Sequence, residues 1–277
     1  MLQRLFGLGT SARVFLRPGL ALPADALRLH RRRHAPAARQ RRTGQTQNFI
    51  VFGDGTQSGD AAAQAMLDSC EGDFSAAQAW FGGLTPPGLP MHVYADPNAG
   101  GAYHMSCEGT DIHVLSDPTL APGFLTAEIV EVFEAALNNG WDCGFTNGES
   151  LSRVLAFDRH PEIAQEFNQT EQDWWSSGHR DYVTDNSAGD TDQIASGCGD
   201  LFLYYLHSQL TFDWNAICAA GGRTLGACYQ ALTTYDPRQG FSDFLSAIAT
   251  IAQDGSLNLP LSGNPFPVKR QPAPSPQ

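Results

Sequence analysis

Thr126-Ala127-Glu128-Ile129-Val130-Glu131-Val132-Phe133-Glu134-Ala135-Ala136-Leu137 is the stretch on which the fold of this chain turns. Ile129, Val130, Phe133, Ala136 and Leu137 recur at helical spacing, and Asn138-Asn139-Gly140 stops the pattern. Glu128, Glu131 and Glu134 fall three residues apart, so they are neighbours on one side of that helix. Two readings compete. The acids form a solvated face, or they form a carboxylate cluster turned into the protein.

Upstream of this helix the pattern is that of strands. Asn48–Phe52 is a short apolar run stopped by Gly53-Asp54-Gly55, and Met91–Tyr94 and Thr110–Leu115 follow, the last alternating Ile112 and Val114 with Asp111 and His113. Asp60–Leu67 is Ala-rich and helical between them. Downstream the pattern is helical: Gly148–Phe157, the strongly apolar Ile194–Leu210, then Asn215–Ala220, Leu225–Leu232 and Phe241–Ile251. Thr170–Asp190 is a polar stretch holding Trp174, Trp175 and His179. Strands early and helices late predict an α+β fold: a small N-terminal mixed sheet followed by a mostly helical C-terminal half.

Charge divides the chain. The net charge is −12, yet ten of the 17 basic residues and one of the 29 acids lie within residues 4–42. From residue 43 onward seven basic residues face 28 acidic ones. Nucleic-acid affinity rests on Lys and Arg neutralising phosphates, so neither nucleic acid nor an anionic membrane surface is an expected partner of this body. Residues 1–46 read as a basic arm, either disordered or an organelle-targeting segment, since Arg13 and Arg17 interrupt any secretory apolar run. Residues 47–262 read as one domain and 263–277 as a Pro-rich disordered tail. No apolar run approaches the roughly 20 residues of a membrane span.

The order of elements resembles the zincin metallopeptidases, in particular gluzincin-like and basic secretory proteins. In that fold an edge strand borders the cleft, a helix carrying His-Glu-x-x-His follows, and a second helix supplies a third zinc ligand. Asp111–Leu115 would be the edge strand, Ala127–Phe133 the active-site helix, and Asn147-Gly148-Glu149-Ser150-Leu151-Ser152-Arg153 part of the next. The apolar segment Gly197–Leu206 is similar to the helix that backs the site. The resemblance implies a zincin-like α+β domain with its edge strand over an active-site-type helix. It also implies that Ala127 and Glu131 stand where the two zinc-binding histidines belong, while Glu128 and Glu149 keep the base and third-ligand positions. Two imidazoles four residues apart bind Zn²⁺ from one helix face, and alanine offers a metal nothing. No resident cofactor is therefore expected, although a carboxylate cluster suits Ca²⁺.

The expectation is a metal-free, degenerate zincin-like protein holding a peptide or carbohydrate in the former cleft. The alternatives are a hydrolase that divides acid and base roles between Glu128 and Glu149, with Glu131 nearby, or a structural protein without a small ligand. Candidate ligand-binding residues are Trp174, Trp175 and His179 as an aromatic platform, with Arg153 and His113. His92, His104, Cys107 and His113 crowd a short stretch, and His104-x-x-Cys107 has ligand spacing without a completing pair. Asp181, Asp185, Asp190 and Asp192 form an acidic loop without EF-hand spacing. The six cysteines permit up to three disulfides or a set of buried thiols.

Overall fold

The computed structural model describes residues 40–188, 192–252, 257 and 259–266. The predicted arm up to residue 39, the tail from 267 and Asp190 lie outside the described residues.

The early strands build one five-stranded mixed sheet. β1 (Arg41–Gln45), β2 (Phe49–Gly53), β3 (Met91–Asp96), β4 (Ala102–His104) and β5 (Asp111–Leu115) stand in the order β1-β2-β3-β5-β4. β2, β3 and β5 run parallel, while β1 and β4 close the two edges antiparallel. The folded body thus begins by Arg41, earlier than the composition break suggested, because β1 pairs with β2. Asp111–Leu115 is not the edge strand. It is interior, and the outer strand is the three-residue Ala102–His104.

Side chains alternate across these strands. Phe49, Val51, Met91, Val93, Ile112, Val114 and His104 point inward and are buried. Two helices cover that inward face: α1 (Gln57–Trp80), capped by Thr56 accepting from the Gly59 amide, and α2 (Ala121–Leu137). On the other face Phe52, Tyr94, His113 and Tyr103 form a row of stacked rings with centroids 4.8–5.0 Å apart, across four neighbouring strands.

Every residue of α2 from Ala121 to Glu134 is buried. A helix enclosed on all sides must be sandwiched, and α2 lies between the sheet and α3 (Thr146–Arg159), itself buried from Thr146 to Phe157. The solvated-face reading of the three acids is thereby excluded.

Behind α3 pack α4 (Ala164–Ser176) and α5 (Gln193–Tyr204), the latter continuing into a π-helical turn at Tyr205–Gln209. α6 (Trp214–Ala220), α7 (Leu225–Thr233) and α8 (Pro237–Ala249) complete the set, each capped by the side chain preceding it, Asp213, Thr224 and Asp236. α5 is pinched between two helices: a Cβ on Gly197 would run into the Thr170 carbonyl of α4, and one on Gly199 into the Ser150 side chain of α3. The polar stretch from Thr170 proves helical as far as Ser176, because Phe167, Thr170, Glu171 and Trp174 form a buried stripe at helical spacing. The body also extends past residue 262, since Phe266 is buried against Tyr205.

Candidate functional site

His104 is the inward residue of the outer strand, and it reaches α2. Its Nδ1 lies 2.6 Å from Glu128 Oε2 and its Nε2 lies 3.7 Å from Glu131 Oε2, with all three side chains 0–1% exposed. Nδ1 and the Glu128 carboxylate thus share a close hydrogen bond, and Nε2 is directed at Glu131.

Glu131 carries the cluster on to α3, where its Oε1 accepts from Ser152 Oγ at 3.4 Å. One turn further along α2, Glu134 packs so closely on Gly148 that a Cβ there would lie 2.6 Å from its Oε2. Gly148 and Glu149 belong to the first turn of α3, whose amides favour negative charge. Glu149 is 1% exposed and one turn before Ser152 and Arg153. All three α2 acids and Glu149 are buried, and Glu131 joins α2 to Ser152 of α3.

Cys143, in the turn between α2 and α3, lies against the same group. Its Sγ, a His104 ring nitrogen and a Glu131 carboxylate oxygen fall within 4.8 Å of one another, all buried. Cys143 is disulfide-bonded to Cys107, in the connection between β4 and β5, while Cys70, Cys198, Cys218 and Cys228 are buried free thiols. The bridge ties the 105–110 connection to the α2–α3 turn three residues before α3 begins, beside the cluster.

Two open hollows adjoin this closed centre. One, of about 560 Å³, is lined by Pro87, Gly88, Glu108, Thr110, Val132, Ala135, Ala136 and Asn138. The other, of about 830 Å³, includes Asn138, Asn139, Asp142, Phe145, Asn186 and Arg223. They meet at Asn138, the left-handed residue that ends α2.

A second buried polar group lies deeper, between α3, α4 and α5. Burial raises the Glu171 carboxyl well above its ordinary range, the neighbouring Asp200 adds to that, and Arg153 opposes it. Burial likewise pushes Asp200 up to about 7 against the pull of Arg153 and Ser150. The Arg153 guanidinium also lies 4.9 Å from the Phe167 ring centroid. Arg153 is 1% exposed, so it is a core cation rather than a ligand contact.

The predicted aromatic platform divides. Trp174 is wholly buried, stacked 5.5 Å from Phe244, with Nε1 donating to the Arg180 carbonyl. It anchors the following loop and offers no face to a ligand. Trp175 is half-buried and its ring lies 4.2 Å from that of His179. His113 is held in the outer ring row, 3.3 Å from Asp96, on the far face of the sheet from α2. The acidic loop is built for turns: Asp181 accepts from the Val183 and Thr184 amides, Asp192 caps α5, and Asp185 pairs with Arg180.

Comparison with protein-family models, with curated proteins and with solved structures found no match to this chain. Among the described residues no helix is long and apolar enough to cross a membrane.

Proposed function

We propose that this chain is a zincin-like protein that has lost the His-Glu-x-x-His centre and binds a peptide or glycan segment in the hollow beside it. Several features support the zincin-like reading: the outer strand β4 lies over α2, α2 carries Ala127-Glu128-x-x-Glu131, and Glu149 stands on the next helix. Zinc-peptidase chemistry does not fit these positions. Ala127 presents a methyl group and Glu131 a carboxylate where the motif needs two imidazoles four residues apart.

The observation that carries the binding reading is the contrast between closed acids and open groove. Glu128, Glu131 and Glu149 are each 1% exposed, so a substrate reaches none of them without an opening of the fold. Val132 and Ala135 lie one helical turn beyond Glu128 and Glu131 on the same face, and they line a hollow of about 560 Å³, a size that suits a few residues of a ligand. Glu108, Thr110 and Asn138 place polar groups around its apolar floor. The hydrolase reading, which needs substrate at Glu128 or Glu149, draws no support from this burial.

The test is a screen of peptide and glycan arrays with the full chain, followed by titration of the best binder. Ala135→Glu, which fills and charges the groove, should weaken binding at least tenfold while the melting temperature holds. Trp175→Ala should leave affinity unchanged. Retained affinity in Ala135→Glu, or loss confined to Trp175→Ala, refutes the placement.

A further inference from the structure

The His104, Glu131 and Cys143 group has no role in the binding reading, yet its chemistry is that of a metal site. We infer that it is a redox-gated site for a thiophilic divalent cation, zinc above all, closed by the Cys107–Cys143 disulfide and opened by its reduction. The site is independent of whether the groove binds anything.

Three observations converge. Ligand atoms of imidazole, carboxylate and sulfur lie within 4.8 Å of one another and are all buried, which are the donor types zinc takes. The His104 ring is held as a metal-ligating ring usually is, one nitrogen, Nδ1, against the Glu128 carboxylate at 2.6 Å and the other, Nε2, 3.7 Å from Glu131. The third ligand is locked, because Cys143 is bonded to Cys107, and a disulfide sulfur is not the thiolate that binds zinc. These residues come from β4, α2 and the α2–α3 turn, so the ligand set is not the one the helix motif would supply.

The chemistry balances with a dithiol reductant. The dithiol gives two electrons and two protons to the Cys107–Cys143 bond, becomes a disulfide itself, and leaves two thiols on the protein. Zn²⁺ then displaces the Cys143 thiol proton to solvent and binds Cys143 Sγ, His104 Nε2 and a Glu131 oxygen. Water fills the fourth position. Two anionic ligands neutralise the dication, which is what a buried site requires.

Cys107→Ser leaves Cys143 as a thiol without any reductant and provides the test. After equilibration with zinc and dialysis, elemental analysis should find one zinc per folded Cys107→Ser chain and none on the oxidised wild type. The same variant with cobalt should show a thiolate-to-metal charge-transfer band. Both signals should vanish in Cys107→Ser/Cys143→Ser and in Cys107→Ser/His104→Gln. Adding Glu128→Gln to Cys107→Ser should weaken zinc binding by about 10- to 100-fold, as expected for a residue that orients a ligand. If Cys107→Ser does not fold, dithiol-treated wild type, checked for native circular dichroism, supplies the same thiol. Zinc retained without Cys143, zinc on the oxidised chain, or a folded reduced chain that takes up none would each overturn the site.

Discussion

The contact between His104 and Glu128 makes a strong energetic claim, because both groups are nearly inaccessible to water and 2.6 Å apart. Removing one member of such a pair strands the other in a poorly polarisable interior, and breaking a buried ion pair or charge-assisted bond costs about 3–5 kcal/mol. His104→Ala should therefore lower stability by roughly that amount, or roughly 6–20 °C in melting temperature at about 2–4 °C per kcal/mol for a domain this size. Glu128→Ala should cost a similar amount, since it leaves the imidazole facing Glu131 alone. The double variant removes both and should lose less than the two single losses combined, with a coupling of about 2–3 kcal/mol. Urea unfolding of the oxidised protein, followed by circular dichroism, measures all four corners of the cycle. Additivity within about 0.5 kcal/mol would mean the two groups do not stabilise one another.

Arg153→Met should be severe, about 3–5 kcal/mol, since it removes the cation that opposes the desolvation of Asp200 and Glu171, whereas Glu171→Gln should cost clearly less, because burial and the neighbouring Asp200 both disfavour the charged form of that carboxyl. A loss in Glu171→Gln as large as that in Arg153→Met would refute this ordering. Asp73 and His160 join α1 to the end of α3 at 3.1 Å. Burial would raise Asp73 and lower His160, but their mutual hydrogen bond and charge shift each the other way. Asp73's contribution is present above its unfolded value and fades as pH falls through the lowered one, while His160's is present below its unfolded value and fades as pH rises through the raised one. The bonus is therefore whole between roughly pH 4 and 6.5, and the stability–pH curve of His160→Asn should be flatter on both flanks. Gly197→Ala should cost more than Gly199→Ala, with both within about 1–3 kcal/mol, because the first new methyl meets α4 backbone and the second a serine side chain. The reverse order in thermal melts would place α5 differently.

The helical core announced itself in the sequence because its signals are local. Ile129, Val130 and Phe133 mark α2 by spacing, and the order of strands before helices leads to the α+β class. Glu128 and Glu149 do turn inward, a point that rested on resemblance rather than on periodicity. His104 as the partner of Glu128 was not legible. It sits 24 residues upstream on a strand too short to show alternation, and its role depends on a nonlocal pairing with β5. The resemblance likewise places the edge at Asp111–Leu115, whereas that position belongs to β4, whose three residues carry no strand signal of their own. Trp174 could have been placed correctly, since Phe167, Thr170 and Glu171 complete its helical stripe. The Cys107–Cys143 bridge had no signature at all, because connectivity follows from the fold and not from spacing.

The stacked row of Phe52, Tyr94, His113 and Tyr103 has an optical consequence. Parallel phenol rings about 5 Å from an imidazole, held on rigid strands, couple their transitions and give the sheet its own near-ultraviolet dichroism. The five tryptophans, Trp80 at the end of α1, Trp141 between α2 and α3, Trp174 and Trp175 on α4 and Trp214 on α6, all lie on helices or their connections and none on a strand, so indole fluorescence excited at the red edge reports on the helical layers. The protein thus carries two intrinsic signals, one from the outer face of the sheet and one from the helices packed on and behind its inner face. Superimposable unfolding curves from the two would mean sheet and helices melt as a single cooperative unit, and separated midpoints would reveal a partly folded species without any label being attached.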